Sequence, residues 1–182
     1  MKQTLSMVMA AMTIAALTSC SNDNGTSFTG KITGLQDNFI LLGGILTPQI
    51  DTIQVNEDGT FDARIELTEP KTDYVIMEHP KSGFKVYLEP GSKLDCQVET
   101  YDTVVNNFPI TRSRVKFVGD NADCNDFLNN DQLNYYTLQG EMINEVIAKK
   151  LPFLQFKQQL GEKVEEVKKE IEKLSNPRFV EA

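Results

Sequence analysis

Between Phe28 and Val118 the chain alternates apolar and polar residues in short runs, each closed within a few residues by turn chemistry. Successive side chains of a strand point to opposite faces, so Phe61-Asp62-Ala63-Arg64-Ile65-Glu66-Leu67 buries one face and wets the other. Runs starting at Phe28, Phe39 and Ile50 lead to Asn56-Glu57-Asp58-Gly59, whose Asp-Gly is a strong hairpin signal. Further runs are Tyr74-Val75-Ile76-Met77, Phe84-Lys85-Val86-Tyr87-Leu88, Lys93 to Val98, and Val115-Lys116-Phe117-Val118. Glu89-Pro90-Gly91-Ser92 joins two of them, and Pro followed by Gly at the centre of a four-residue turn is the type II signature. About eight strands with no helical period between them predict a mainly β domain over 28–119, an antiparallel β-sandwich or partly open barrel.

After Gly119 the period changes from two to three or four. Asp120-Asn121-Ala122 offers helix caps, and Cys124, Phe127, Leu128 and Leu133 open a helical pattern that continues through Met142, Ile143, Val146 and Ile147. Pro152 has no amide hydrogen to give a helix interior, so it breaks or restarts the helix. Beyond it Phe153, Phe156, Leu160, Val164, Val167, Ile171 and Leu174 form an apolar stripe that ends near Ser175-Asn176-Pro177. Residues 120–182 therefore read as a helical extension or linker. The stripe is too short for a coiled-coil assignment. It offers a face to the preceding helix, to a C-terminal domain or to a protein partner. The charges between Glu162 and Glu170 form a solvated face, with i,i+4 support from Glu165 to Lys169.

The front of the chain carries an address. Met1-Lys2 is a short positive end, residues 5–17 are an apolar run, and Leu17-Thr18-Ser19-Cys20 sets two small residues directly before a cysteine. The run is shorter than the roughly 20 residues that span hydrocarbon. Polar residues from Ser21 to Ser27 follow at once. A secretory signal ends in small residues, and a cysteine at the cut resembles the lipobox of bacterial lipoproteins. The expected organisation is a lipoprotein signal peptide over 1–19, lipidation at Cys20 and a flexible tether over 20–27. An ordinary signal peptide with a cysteine near its cut is the alternative. The resemblance implies a lipid anchor in the cell envelope. Ser21 lacks the acid of an inner-membrane retention signal, which points to the outer membrane, with the periplasmic face and the cell surface both open.

The chain carries a net charge of −8, and loss of the first 19 residues removes Lys2 and no acid. Such a surface does not attract nucleic acid. Cys96 and Cys124 stand far apart with no Cys-x-x-Cys spacing, so no metal or redox site is encoded in them. Alternation places Cys96 with Leu94 and Val98, and helical spacing places Cys124 with Phe127 and Leu128, as small buried hydrophobes. A bridge between them is left to geometry.

Other site patterns fail on inspection. Aligning Gly59 to a calcium loop puts Gln54 first and Ile65 last, where carboxylates are needed. His79, the single histidine, lies in a turn, and no Gly-x-Ser-x-Gly elbow accompanies it. Arg112, Arg114 and Lys116 alternate along one strand face, as an exposed sheet face or a strip for an anionic partner. No catalytic, cofactor-binding or metal-binding residue is nominated, and no cofactor is expected.

Several of these residues recur in a set order. Phe28-x-Gly30-x-Ile32, Asp58-Gly59-x-Phe61, Pro70 followed by Tyr74, and Val86-Tyr87-Leu88-x-Pro90-Gly91 precede Phe117-x-Gly119-x-Asn121-Ala122-x-x-Asn125-x-Phe127-Leu128. In this the chain resembles the N-terminal domain, itself of unknown biochemical function, that precedes the thioredoxin-like domain in envelope lipoproteins of the thiol-disulfide interchange (AhpC/TSA-related) class of Gram-negative bacteria. Ser92 departs from the acid expected after Pro90-Gly91, although a hydroxyl can accept the same turn hydrogen bond. The thioredoxin-like domain and its paired cysteines are not in this sequence, so the redox activity is carried over to no residue. The resemblance implies a non-catalytic module that positions a following domain. A stand-alone ligand- or partner-binding lipoprotein is the second reading, and Tyr101, Phe108, Tyr135 and Tyr136 gathered in one concavity would favour it.

Overall fold

The computed structural model describes residues 25–44, 50–105, 107–130 and 152–181. Cys20 with its signal, Tyr135, Tyr136 and the helical positions from Leu133 to Ile147 lie outside the described residues. Among the described residues eight strands form, each covering a run that alternation marks, with β7 and β8 extending well beyond theirs: β1 (Gly25–Thr33), β2 (Phe39–Gly43), β3 (Ile50–Gln54), β4 (Thr60–Glu66), β5 (Lys71–Met77), β6 (Ser82–Leu88), β7 (Lys93–Val105) and β8 (Phe108–Gly119). Among the described residues three helices follow, α1 (Ala122–Leu128), α2 (Phe153–Ile171) and α3 (Pro177–Glu181). β1 begins three residues before Phe28, so the end of the segment read as a tether is already sheet.

The strands make two four-stranded sheets, β4-β1-β7-β8 and β3-β2-β5-β6, stacked as a sandwich. Inward residues of both fill one core. Phe28, Ile32, Leu94, Cys96, Val98 and Phe117 come from the first sheet. Ile40, Leu42, Val75, Met77, Phe84 and Val86 face them from the second. Phe28 meets Phe61 edge-on at 5.0 Å between ring centroids, a geometry that aromatic quadrupoles favour. Full burial of side chains of this size contributes about 1.5–3 kcal/mol each.

Two features depart from a simple antiparallel meander. β1 pairs β7 in parallel, with Phe28 beside Leu94 and Ile32 beside Val98. The turn at Asn56-Glu57-Asp58-Gly59 forms, with Gly59 at φ 82 and Asn56 N–H donating to Thr60 O at 2.8 Å, but it closes no hairpin. β3 pairs β2 and β4 pairs β1, so the chain crosses here from one sheet to the other. Turn chemistry specifies the reversal; the pairing is chosen by which sheet each apolar face can join.

The β7–β8 hairpin outruns its sheet. β1 leaves β7 at Glu99, and β7 continues with β8 alone to the Val105–Phe108 rung. Val104 and Phe108 are exposed at the tip of this arm.

Pro152 stands at the N-cap of α2 with extended backbone, so it restarts the helix. Phe156, Leu160, Val164, Val167 and Ile171 lie half-buried along one side. On the other side Glu165 takes Lys168 at 2.8 Å, one residue short of the Lys169 expected, and Lys163–Glu166 and Lys173–Glu170 repeat the i,i+3 spacing. No helix among the described residues is long and apolar enough to cross a membrane.

Candidate functional site

The Glu89-Pro90-Gly91-Ser92 turn forms as its residues require, with Gly91 at φ 76 and Ser92 N–H donating to Glu89 O at 3.1 Å. The Ser92 hydroxyl locks it, donating to Glu89 O at 2.8 Å and accepting from Glu89 N–H at 3.3 Å. Three distant parts of the chain converge on this corner. From β1, Ser27 N–H donates to Ser92 O at 2.9 Å and the Thr26 hydroxyl donates to Glu89 O. From the start of α1, the Asn121 amide donates to Glu89 Oε2 at 3.5 Å. From the segment before α3, the Asn176 amide donates to Glu89 Oε1 at 2.9 Å and to Asn121 Oδ1 at 2.6 Å.

The same carboxylate accepts from the Tyr87 hydroxyl at 2.8 Å, and Tyr87 packs edge-on against Phe179 of α3 at 4.9 Å. Asp123 accepts from Ser175 N–H at 2.7 Å, and Asn176 Oδ1 accepts from Arg178 N–H at 2.9 Å. Burial pushes the Glu89 carboxyl up, but hydrogen bonds from Asn176, Tyr87 and Asn121 outweigh it and hold it below its ordinary value. Burial first, and then Glu89, keep the Tyr87 hydroxyl protonated far above its usual range. Asn121 occupies the N-cap position of α1 in left-handed backbone, but its side chain caps nothing and is spent on this network. Asp120, the other expected cap, accepts from Lys93 N–H at 2.9 Å.

A second polar arrangement opens the core at the same end of the sandwich. Here a cleft of about 1140 Å³ is lined by Leu42, Gly44, Asp51, Ile53, Ile65 and Asp73, among others. Asp73 shares the inward parity of Val75 and Met77 on β5 and is 3% exposed, at a position where alternation calls for an apolar residue. Lys71 Nζ lies 2.6 Å from Asp73 Oδ2, so the buried carboxylate is held in an ion pair at the cleft. Asp51 on β3 sits directly across from the buried Leu42 and is exposed.

The residues singled out from sequence fall elsewhere. Cys96 and Cys124 are both buried and both free, so no bridge joins them. Burial pushes the Cys96 thiol up to about 12 and the Cys124 thiol up to about 11, helped in each by an adjacent aspartate. His79 is a solvated turn residue whose N–H donates to Asp37 at 2.9 Å. Asp58 spends its carboxylate on Thr60, accepting from its N–H at 3.0 Å and its hydroxyl at 2.6 Å. Arg112, Arg114 and Lys116 are exposed on β8, with Arg114 over the Tyr101 ring at 5.0 Å and 3.5 Å from Glu99. Tyr101 stays with Arg114 on the arm while Phe108 projects at its tip, so they share no concavity. Glu89, Asn121 and Asn176 are not legible as site residues in the sequence, because amides and a turn acid carry no spacing signature.

The fold and its corner define a β-sandwich on which a C-terminal helical segment is docked. No family model matches the chain, and no curated protein matches it.

Proposed function

We propose that this chain is a non-catalytic, lipid-anchored module of the bacterial cell envelope, anchored through Cys20, with the outer membrane as its site. It resembles the front domain that positions a thioredoxin-like domain, and its role is mechanical placement of what it is joined to. The observation that carries this reading is the docking of Asn176 and Phe179 onto the same corner that receives β1. A segment so held gives any following domain a fixed origin relative to the tether. The buried, protonated thiols of Cys96 and Cys124 also support a non-catalytic role, since disulfide exchange needs an accessible thiolate.

Two experiments test the reading. Metabolic labelling with a radiolabelled fatty acid should mark the protein in the membrane fraction, and Cys20→Ser should abolish the label. A labelled C20S variant, or an unlabelled native protein, rejects the anchor. Sequencing the reading frame past codon 182 tests the positioning role, which a Cys-x-x-Cys domain supports and an immediate stop removes.

A further inference from the structure

We infer that the free edge of the β7–β8 arm pairs with the same edge of a second copy of this chain, joining two arms into one four-stranded antiparallel sheet. The direction of the main chain along β7 exposes that edge. Cys96 O points toward β1, where a methyl on Gly30 would strike it, and Lys93 O points the other way, accepting from Asp120 N–H at 2.9 Å. β7 and β8 keep one register to the tip. The alternation therefore carries on, and Asp102 and Val104 turn N–H and C=O toward the line of β1. β1 has already ended at Thr33, and among the described residues nothing takes those groups.

The other edges are guarded. The amides of Asn125 and Asn129 cover β6, β4 carries Asp62, Arg64 and Glu66, and β3 is five residues long. On β8 the odd-numbered positions face outward along the edge; there Phe117 N–H donates to Asp126, and Pro109 has no N–H to offer. The β7 edge has no such guard, and Thr-Tyr-Asp-Thr-Val-Val over 100–105 is rich in strand formers. The stretch left open by β1, 101–105, is centred on Thr103, so a two-fold pairing with Thr103 facing its copy uses all of it. Asp102 and Val104 then exchange hydrogen bonds with Val104 and Asp102 of the second copy. Tyr101 comes beside the second copy's Val105, with Phe108 next in the row, which covers part of a tip whose Val104 and Phe108 are 67% and 70% exposed. Charge permits the approach. Two chains of net −8 repel, but Thr103 to Thr111 carries no charge, and Asp102 faces Val104 instead of another Asp102. Five residues a side bury less than the about 1,200 Å² of a stable interface, so the pair is weak and concentration-dependent.

The test is cysteine cross-linking of the full chain carrying Cys20→Ser, in which Cys96 and Cys124 are buried. In the pairing Thr103 meets itself across a non-hydrogen-bonded rung, with about 4.5 Å between Cα atoms, whereas Val105 lies roughly 14 Å from its own copy. Under mild oxidation Thr103→Cys should therefore form a disulfide-linked dimer about tenfold faster than Val105→Cys. In sedimentation at high concentration Thr103→Lys and Thr103→Glu should each abolish association, and mixing the two variants should restore it. Val104→Pro removes an N–H that has no partner among the described residues, so it should abolish association with the melting temperature of the monomer unchanged. Thr103 lies on the outward face, so T103K keeps the test decisive if V104P does not fold. Equal cross-linking of the two cysteine variants, a chain that stays monomeric into the millimolar range, or association that T103K leaves intact overturns the pairing. Cross-linking of T103C in membranes only to a different protein assigns the edge to a foreign strand and overturns it equally.

Discussion

Asn125 forms a two-bond ring with the main chain of Tyr87: its Oδ1 accepts from Tyr87 N–H at 2.7 Å and its Nδ2 donates to Tyr87 O at 3.0 Å. One helical turn on, Asn129 does the same to Lys85, at 2.9 and 2.8 Å. β6 is an edge of its sheet, and its residues 85 and 87 turn their main-chain groups outward. Edge strands must be covered or they recruit other strands. The i,i+4 rise of a helix, near 6 Å, approximates the two-residue advance of a strand, near 6.8 Å, so two carboxamides, one on α1 and one at its C-cap, stand in for a missing neighbour.

Asn125→Ala should therefore destabilise by about 2–4 kcal/mol, because it orphans a buried N–H and a buried C=O together. Asn129→Ala, at a half-buried position, should cost about 1 kcal/mol. Urea unfolding measures both, and hydrogen exchange at the Tyr87 amide should accelerate in the first. Equal costs for the two would contradict the ladder.

The Glu89 corner makes docking of α3 pH-dependent. Its folded carboxyl titrates below its ordinary value, so the stabilisation is complete above that ordinary, unfolded value and disappears as pH falls through the lower, folded one. Glu89→Gln should lower affinity of the segment for the corner at all pH values, since the new amide faces the amides of Asn121 and Asn176. Limited proteolysis at Lys173 and Arg178 reports release, and acid-induced cutting of the native protein should be lost in the variant, which is cut at neutral pH.

Both core thiols should resist labelling. With Cys20 replaced by Ser, Cys96 and Cys124 should react with a disulfide reagent at pH 8 no faster than the protein opens, then titrate fully in denaturant. Fast labelling of either without denaturant would show that its burial is not maintained.

The same substitution should act with opposite sign at two glycines. Gly119 has φ +108, and an added methyl would strike the Lys93 carbonyl, so Gly119→Ala should destabilise by about 1–3 kcal/mol. Gly161 lies on the exposed face of α2 with nothing near a new Cβ, and Gly161→Ala should stabilise the helix by about 0.5–1 kcal/mol. Thermal melts of the two variants compare them directly.

What alternation carries, the sequence makes legible: the strands, the Pro90-Gly91 turn and the amphipathic α2 all follow from period and turn chemistry. Pairing partners were not, because the turn at Asp58-Gly59 reverses the chain equally well within a sheet or between sheets. The parallel β1–β7 neighbourhood arises from contacts far apart in sequence, which no local pattern encodes. Asp73 was within reach. Carrying the parity of Val75 and Met77 two residues back places a carboxylate on the core face, but starting β5 at Tyr74 instead of Lys71 hid it. Asn125 and Asn129 look like ordinary polar helix positions until the edge of β6 is beside them.

The meeting of β1 and the α3 segment at one corner sets how the molecule bears load. Tension between its N-terminal strand and its C-terminal helix passes from Thr26 and Ser27 into the Glu89-Ser92 turn and out through Asn176, a path only a few bonds long. β1 is paired along its length with β4 and β7, whereas the C-terminal segment is held at Glu89 by a few side-chain hydrogen bonds, so under force that latch is expected to release before the strands do.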